Sequence, residues 1–354
     1  MQDRAWQDWA TKRIAADYRR SADTHLIPVS MPALPDIALY VKDEASHPTG
    51  SLKHRLARSL FLYALCNGWL AKGRPVIEAS SGSTAVSEAY FAQMLDLPFI
   101  TVVPHNTAAE KIAAITALGG QCHYVENPRE IYGAARALAA ETGGHYIDQF
   151  TYAERATDWR GNNNIAETIF AQMECEPHPL PRWIVCGAGT GGTSATIGRF
   201  ARHHHHATGI CVADPAASVF HRHWHDRNVM THDGAPSLIE GIGRPCVEPS
   251  FIPTVVDRMI VVEDDQSIAA ARVLSRRIGR LCGGSTGTNM WACAMLVSEM
   301  AARGEAGSIV TILCDSGERY RSTYYNDDWI AERALDLAPL EARMERFFET
   351  GHLD

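Results

Sequence analysis

The sequence predicts an α/β fold of parallel sheets covered by helices. Three observations lead there. Short apolar runs alternate with stretches of helical period along most of the chain. Several of those runs end in turns rich in Gly, Ser and Thr. Hydrophobic residues make up 46 % of the 354 residues and charged residues 21 %, the balance of a chain with a full core.

The N-terminal stretch through Arg20 is charged and amphipathic, with Trp6, Trp9 and Ala10 on one helical face. Such an arm can cross to a partner subunit. It lacks the apolar core of a secretory signal. Leu52, Leu56, Leu60 and Tyr63 mark a helix ending near Gly68. Pro75 to Ala79 read as a strand, followed by a helical stripe through Ala85, Val86, Ala89, Tyr90 and Met94. Phe99 to Val103 form the next strand, and a helix from about Thr107 ends at Gly119-Gly120. Further strands are expected at Cys122 to Val125, Tyr146 to Phe150, Trp183 to Cys186, Ile210 to Ala213, Met259 to Val262 and Ile309 to Cys314. Thr288 to Met300 read as a helix.

Composition excludes several roles. With 33 Lys and Arg against 41 Asp and Glu, the net charge of −8 argues against nucleic acid as a partner. No apolar run reaches bilayer length. Nine scattered cysteines without a C-x-x-C pair indicate reduced thiols in the cytoplasm. His203 to His206 read as a solvated helix end, and no metal site is expected there or at His221, His223 and His225, because no recognisable ligand set is complete.

Ligands of parallel α/β sheets bind beyond the carboxyl ends of strands, so the turns carry the chemistry. Lys53, His54 and Arg55 fall in the first turn of their helix, where the dipole disfavours cations. A lysine near other cations can have a lowered pKa and a free amine for carbonyl chemistry. Ser80-Ser81-Gly82-Ser83-Thr84 carries four hydroxyls in a strand-to-helix turn, more than one helix cap needs, and suits a carboxylate or phosphate. Cys186 to Thr193 is a glycine-rich turn whose amides can hold a phosphate. It also matches the dinucleotide fingerprint through Gly187, Gly189 and Gly192, with Asp214 where a ribose-binding acid would sit, so an NAD-dependent dehydrogenase stands as a remote alternative. Against that alternative, the match comes mid-chain and leaves Lys53 and the serine-rich turn unexplained. Cys282 to Gly287 opens a helix and, alone, reads as a cap.

Together with Asp315 to Thr323, these turns resemble the pyridoxal-phosphate enzymes of the cysteine synthase and cystathionine β-synthase family, called fold type II. The resemblance spans five ordered motifs over nearly the whole chain. It implies pyridoxal 5'-phosphate as cofactor, with Lys53 as the Schiff-base lysine. It assigns the cofactor phosphate to Gly189, Thr190, Gly191, Gly192 and Thr193, and the pyridine nitrogen to Ser285. A neutral hydroxyl there favours elimination and replacement at the β-carbon. Ser80, Ser81, Gly82, Thr84 and Gln149 would bind the amino acid carboxylate. Ser83 stands where the family has an asparagine beside the cofactor ring oxygen. A second departure is the longer turn after Glu240-Gly241-Ile242-Gly243, where Arg244 to Ser250 intervene before Phe251-Ile252-Pro253. That loop is expected to line the active-site mouth.

The serine-rich turn with Ser83, the run Asn162 to Asn164 and the longer turn after Gly243 together look most like a bacterial branch of L-cysteine desulfhydrases. The implied reaction is elimination of L-cysteine to hydrogen sulfide, pyruvate and ammonia. The alternative is a β-replacing cysteine synthase or cystathionine β-synthase-like enzyme. The implied architecture has two lobes with the cofactor between them: a small lobe over residues 47–152, and a large lobe of 1–46 plus 153–354. The resemblance also implies a homodimer; the scattered cysteines and the lack of a bilayer-length apolar run point to a cytoplasmic protein without membrane contact.

Overall fold

The computed structural model describes residues 3–20 and 23–353. The expected lobe ends at residues 1 and 354 lie outside them. In chain order the elements are α1 (Arg4–Arg19), β1 (Leu26–Val29), β2 (Ile37–Asp43), α2 (Lys53–Cys66), β3 (Val76–Glu78) and α3 (Ser83–Met94). Next come β4 (Phe99–Pro104), α4 (Ala109–Thr116), β5 (Gln121–Val125), α5 (Ile131–Thr142), β6 (His145–Tyr146) and α6 (Gln149–Ala156). They are followed by α7 (Ile165–Met173), β7 (Trp183–Gly187), α8 (Gly192–His203), β8 (Gly209–Pro215), α9 (Phe220–His225) and β9 (Arg258–Val262). The chain closes with α10 (Asp264–Ile278), α11 (Gly284–Ala302), β10 (Gly307–Leu313), α12 (Asp327–Glu332) and α13 (Ala338–Thr350).

Two compact units result. One contains α1 and His47–Thr157; the other contains Thr24–Ser46 and residues 158–353. The first unit holds a parallel four-stranded sheet in the order β5-β4-β3-β6. Its core joins Ala57, Leu60 and Phe61 of α2 to Ala85, Ala89 and Phe91 of α3. Trp6, Ala10 and Ile14 of α1 belong to that same core. The N-terminal segment, which the sequence reading gave to the larger lobe, therefore packs its helix on α2 and α3. Of the proposed arm face, only Trp9 stays exposed, at 38 %.

The second unit holds a six-stranded sheet in the order β1-β2-β10-β7-β8-β9. All its pairs are parallel except β1 with β2. Every residue of β10 is buried, as expected for a central strand covered on both faces. Capping marks helix ends: Glu263 and Gln266 form a capping box at α10, which stops at Gly279 with φ +73°. The expected strand Tyr146 to Phe150 is shorter than read. Asp148, in the left-handed region at φ +53°, accepts a hydrogen bond from the Thr151 amide and starts α6, so Gln149 and Phe150 are helical.

Candidate active site

In the first unit, Lys53 is the first residue of α2 and half-buried. Its amide donates to Ser51 Oγ at 3.3 Å. His54 and Arg55 beside it are buried. His54 lies 3.9 Å from Asp17 of α1, and Arg55 pairs with Asp23. Arg55 in this first turn is thus matched by a carboxylate.

The serine-rich turn lies between β3 and α3. Its Gly82 is the N-cap of α3, and the Gly82 amide donates to Ser80 Oγ at 3.3 Å. Ser83 and Thr84 open the helix, and no side chain caps it. That leaves first-turn amides for an anion, the arrangement expected of a carboxylate cradle. Thr84 Oγ1 donates to Gln149 Oε1 at 2.8 Å, so the fold brings together two residues that lie far apart in sequence. Ser80 and Ser81 lie half-buried in the same turn.

Sequence reading missed Glu78. This fully buried carboxylate accepts the Ala79 amide at 2.7 Å and the Gln149 amide at 3.1 Å. It ties the start of the turn to the start of α6. Burial pushes its pKa up, against the two amide bonds. The available signal was a carboxylate at the end of an otherwise apolar strand.

In the second unit, the glycine-rich turn links β7 to α8. Gly191 caps α8 at φ +88°, where an L side chain is strained. A Cβ on Gly191 would stand 2.4 Å from Phe251 Cα, and one on Gly189 would stand 2.3 Å from the Gly241 carbonyl oxygen. The turn is a backbone cradle in which side chains have no room, at the positive end of a helix. That chemistry fits a phosphate. Thr190 Oγ1 accepts the Gly192 amide at 3.2 Å, and Thr193 lies in the first turn of α8.

Ser285 lies buried in the first turn of α11. The turn before it is stitched to the chain's last motif. Gly283 donates its amide to the Asp315 carbonyl at 3.2 Å, and Thr286 Oγ1 accepts the Cys314 amide at 3.0 Å. A Cβ on Gly283 would meet Asp315 Oδ1 at 1.9 Å.

Residues Arg244 to Ser250 do not float free. Val219 donates its amide to the Arg244 carbonyl at 2.9 Å, His232 to that of Pro245 at 2.6 Å, and Val247 to that of Met230 at 2.9 Å. Arg244 Nε donates to Glu248 Oε1 at 2.8 Å, and Glu248 is buried. The loop ends with Ser250 and Phe251 packed on Gly191. His203 to His205 are exposed at the end of α8. Among the described residues, no group of three or more His, Cys, Asp or Glu side chains could hold a metal ion. Among those residues, too, no helix is long and apolar enough to cross a membrane.

A family model described as "Pyridoxal-phosphate dependent enzyme" matches residues 22–315. The L-cysteine desulfhydrase Cds1 of Mycobacterium tuberculosis (strain ATCC 25177 / H37Ra) is 58 % identical over 97 % of this chain and 95 % of its own. A cysteine synthase of Aquifex aeolicus is 30 % identical over 81 % of this chain and 84 % of its own. Among solved structures, O-ureido-L-serine synthase superposes with a TM-score of 0.75 at 23 % identity, over 87 % of this chain and 96 % of that one, a likeness of fold.

Proposed function

The chain belongs to the pyridoxal-phosphate-dependent enzyme family, and from that premise we propose that it is an L-cysteine desulfhydrase. The reaction is β-elimination of L-cysteine to hydrogen sulfide, pyruvate and ammonia. The observation that carries this reading is the 58 % identity to a desulfhydrase over 97 % of the chain. The β-replacing alternative rests on relatives near 30 % identity. Family membership sets the dinucleotide reading of the glycine-rich turn aside.

Bound pyridoxal phosphate supplies an electron sink for charge that develops at the substrate α-carbon. The chain's own residues do the rest. We assign Lys53 to holding the cofactor and to moving the α-proton once its amine is free. Gly189, Thr190, Gly191, Gly192 and Thr193 would bind the phosphate through amides and hydroxyls. Ser285 would place a neutral hydroxyl at the ring nitrogen, and Ser83 would stand beside the ring oxygen. The turn Ser80, Ser81, Gly82 and Thr84, with Gln149, would orient the substrate carboxylate. The Thr84–Gln149 bond supports that grouping.

Exposed free thiols at Cys66 and Cys175 support a cytoplasmic location. A homodimer rests on the family resemblance, and sedimentation equilibrium would report twice the 38.9 kDa chain mass.

The test is product analysis with L-cysteine alone and with an acceptor thiol. Equal sulfide, pyruvate and ammonia in both, abolished in Lys53→Ala, is expected. A thioether product in place of pyruvate would assign the enzyme to the replacing class.

A further inference from the structure

Glu88 sits in α3, one helical turn beyond the serine-rich turn's Thr84. It is fully buried, on a helix whose other buried residues include Ala85, Ala89 and Phe91. Neither of its carboxyl oxygens meets a donor among the described residues. The group it faces is the carboxyl of Glu78, itself fully buried. Asp148, at the N-terminus of α6, is a further acid near Glu78.

Two carboxylates side by side in a dry interior cannot both be ionised. Glu78 is the one equipped to carry the charge, because it accepts the Ala79 and Gln149 amides. Glu88 has no such support, and burial together with Glu78 drives its pKa up. The proton belongs on Glu88, and Glu78 is the acceptor that faces its O–H.

We propose that Glu88 is a positioning residue: as a neutral acid it donates to Glu78, and Glu78 then fixes the serine-rich turn and Gln149 relative to one another. Glu78 is the hub. One oxygen holds the residue that leads into Ser80, and the other holds Gln149, whose side chain reaches Thr84. The Glu88 proton spares the hub a second buried charge beside it and leaves both amide bonds intact. The consequence for substrate rests on the proposed assignment of this turn to the substrate carboxylate.

The test compares Glu88→Gln, which keeps a donor for Glu78, with Glu88→Leu, which removes it at similar volume. Glu88→Leu should raise KM for L-cysteine by about tenfold or more while kcat stays within about twofold, the loss of one hydrogen bond to a charged group. Glu88→Gln should restore KM. Amide hydrogen exchange of the segments containing Ala79 and Gln149 gives a readout independent of activity. Exchange there should quicken in Glu88→Leu and match wild type in Glu88→Gln. Unchanged exchange in Glu88→Leu, or equal damage in both variants, overturns the proposal. If exchange behaves as expected but wild type forms no sulfide from L-cysteine, the positioning role stands and the substrate reading fails. Should Glu88→Leu not fold, Glu78→Gln serves in its place. Its single carbonyl oxygen can hold only one of the two amides at full strength, so exchange at one of them must quicken.

Discussion

Single residues decide whether the phosphate cradle exists. Gly191 is constrained twice: its φ of +88° disfavours any L side chain, and a Cβ would stand 2.4 Å from Phe251 Cα and 2.8 Å from Phe251 N. Backbone atoms cannot swing aside as the end of a long side chain can. Gly191→Ala must therefore displace either the turn or the Phe251 segment. The expected outcome is a folded protein that binds pyridoxal phosphate at least about tenfold more weakly, read from the visible absorption of bound cofactor during titration. Retained affinity would mean that the turn relaxes without cost and that the cradle does not depend on this glycine. Ser83 poses a different residue-scale question, since serine keeps a hydroxyl where the family has a longer amide. Its place at the start of α3 is compatible with a shorter reach or a bridging water.

Among the elements, the loop from Arg244 to Ser250 distinguishes this chain from the synthase pattern. Arg244 is a fixed charge within this loop, and the structure ties it to buried Glu248, so it is balanced there. The loop's hold on the site is its end, where Ser250 and Phe251 cover Gly191. A variant that removes residues 244–249 and keeps Ser250 and Phe251 should bind cofactor and raise the ratio of thiol-trapped product to pyruvate. Water must be excluded for trapping to win, and a shorter turn leaves a smaller mouth. A fixed ratio with cofactor bound would separate the loop from reaction outcome and move attention to Ser83. Elements also show where sequence reading stops. β1 contains Pro28, which suits an edge strand but weakens a strand pattern. β2 ends in Lys42 and Asp43, both fully buried. Lys42 is satisfied by the Thr24 carbonyl and Gln172, and Asp43 pairs with Arg280, partners that only the folded chain supplies. The motif turns were readable because glycine and hydroxyl spacing is local. Glu78 and Glu88 were not, because their meaning lies in burial and in each other.

For the molecule as a whole, half-buried and buried ionisable groups link stability to pH in opposing directions. Burial lowers His145 to about 4 from its ordinary 6.5. Between those values the unfolded chain binds a proton that the folded chain refuses, so His145 costs stability as pH falls through that window. Asp214 does the reverse. Burial raises it from 3.8 to about 7, against hydrogen bonds from Ser218 and the His221 amide. Its Oδ2 accepts the His221 amide at 2.9 Å, while Oδ1 has no partner among the described residues. Between 3.8 and 7 the folded chain binds a proton that the unfolded chain has released. Stability from Asp214 is therefore fully present below pH 3.8 and is lost as pH rises towards 7. Asp214→Asn removes that titration and keeps a carbonyl oxygen for the His221 amide. Relative to wild type, the variant should gain about 1–3 kcal/mol as pH rises from about 4.5 to 7.5, with no further change above. Denaturant unfolding of both proteins across that range measures the difference. A gap that does not change with pH would show that Asp214 stays ionised in the folded chain, with a donor reaching Oδ1.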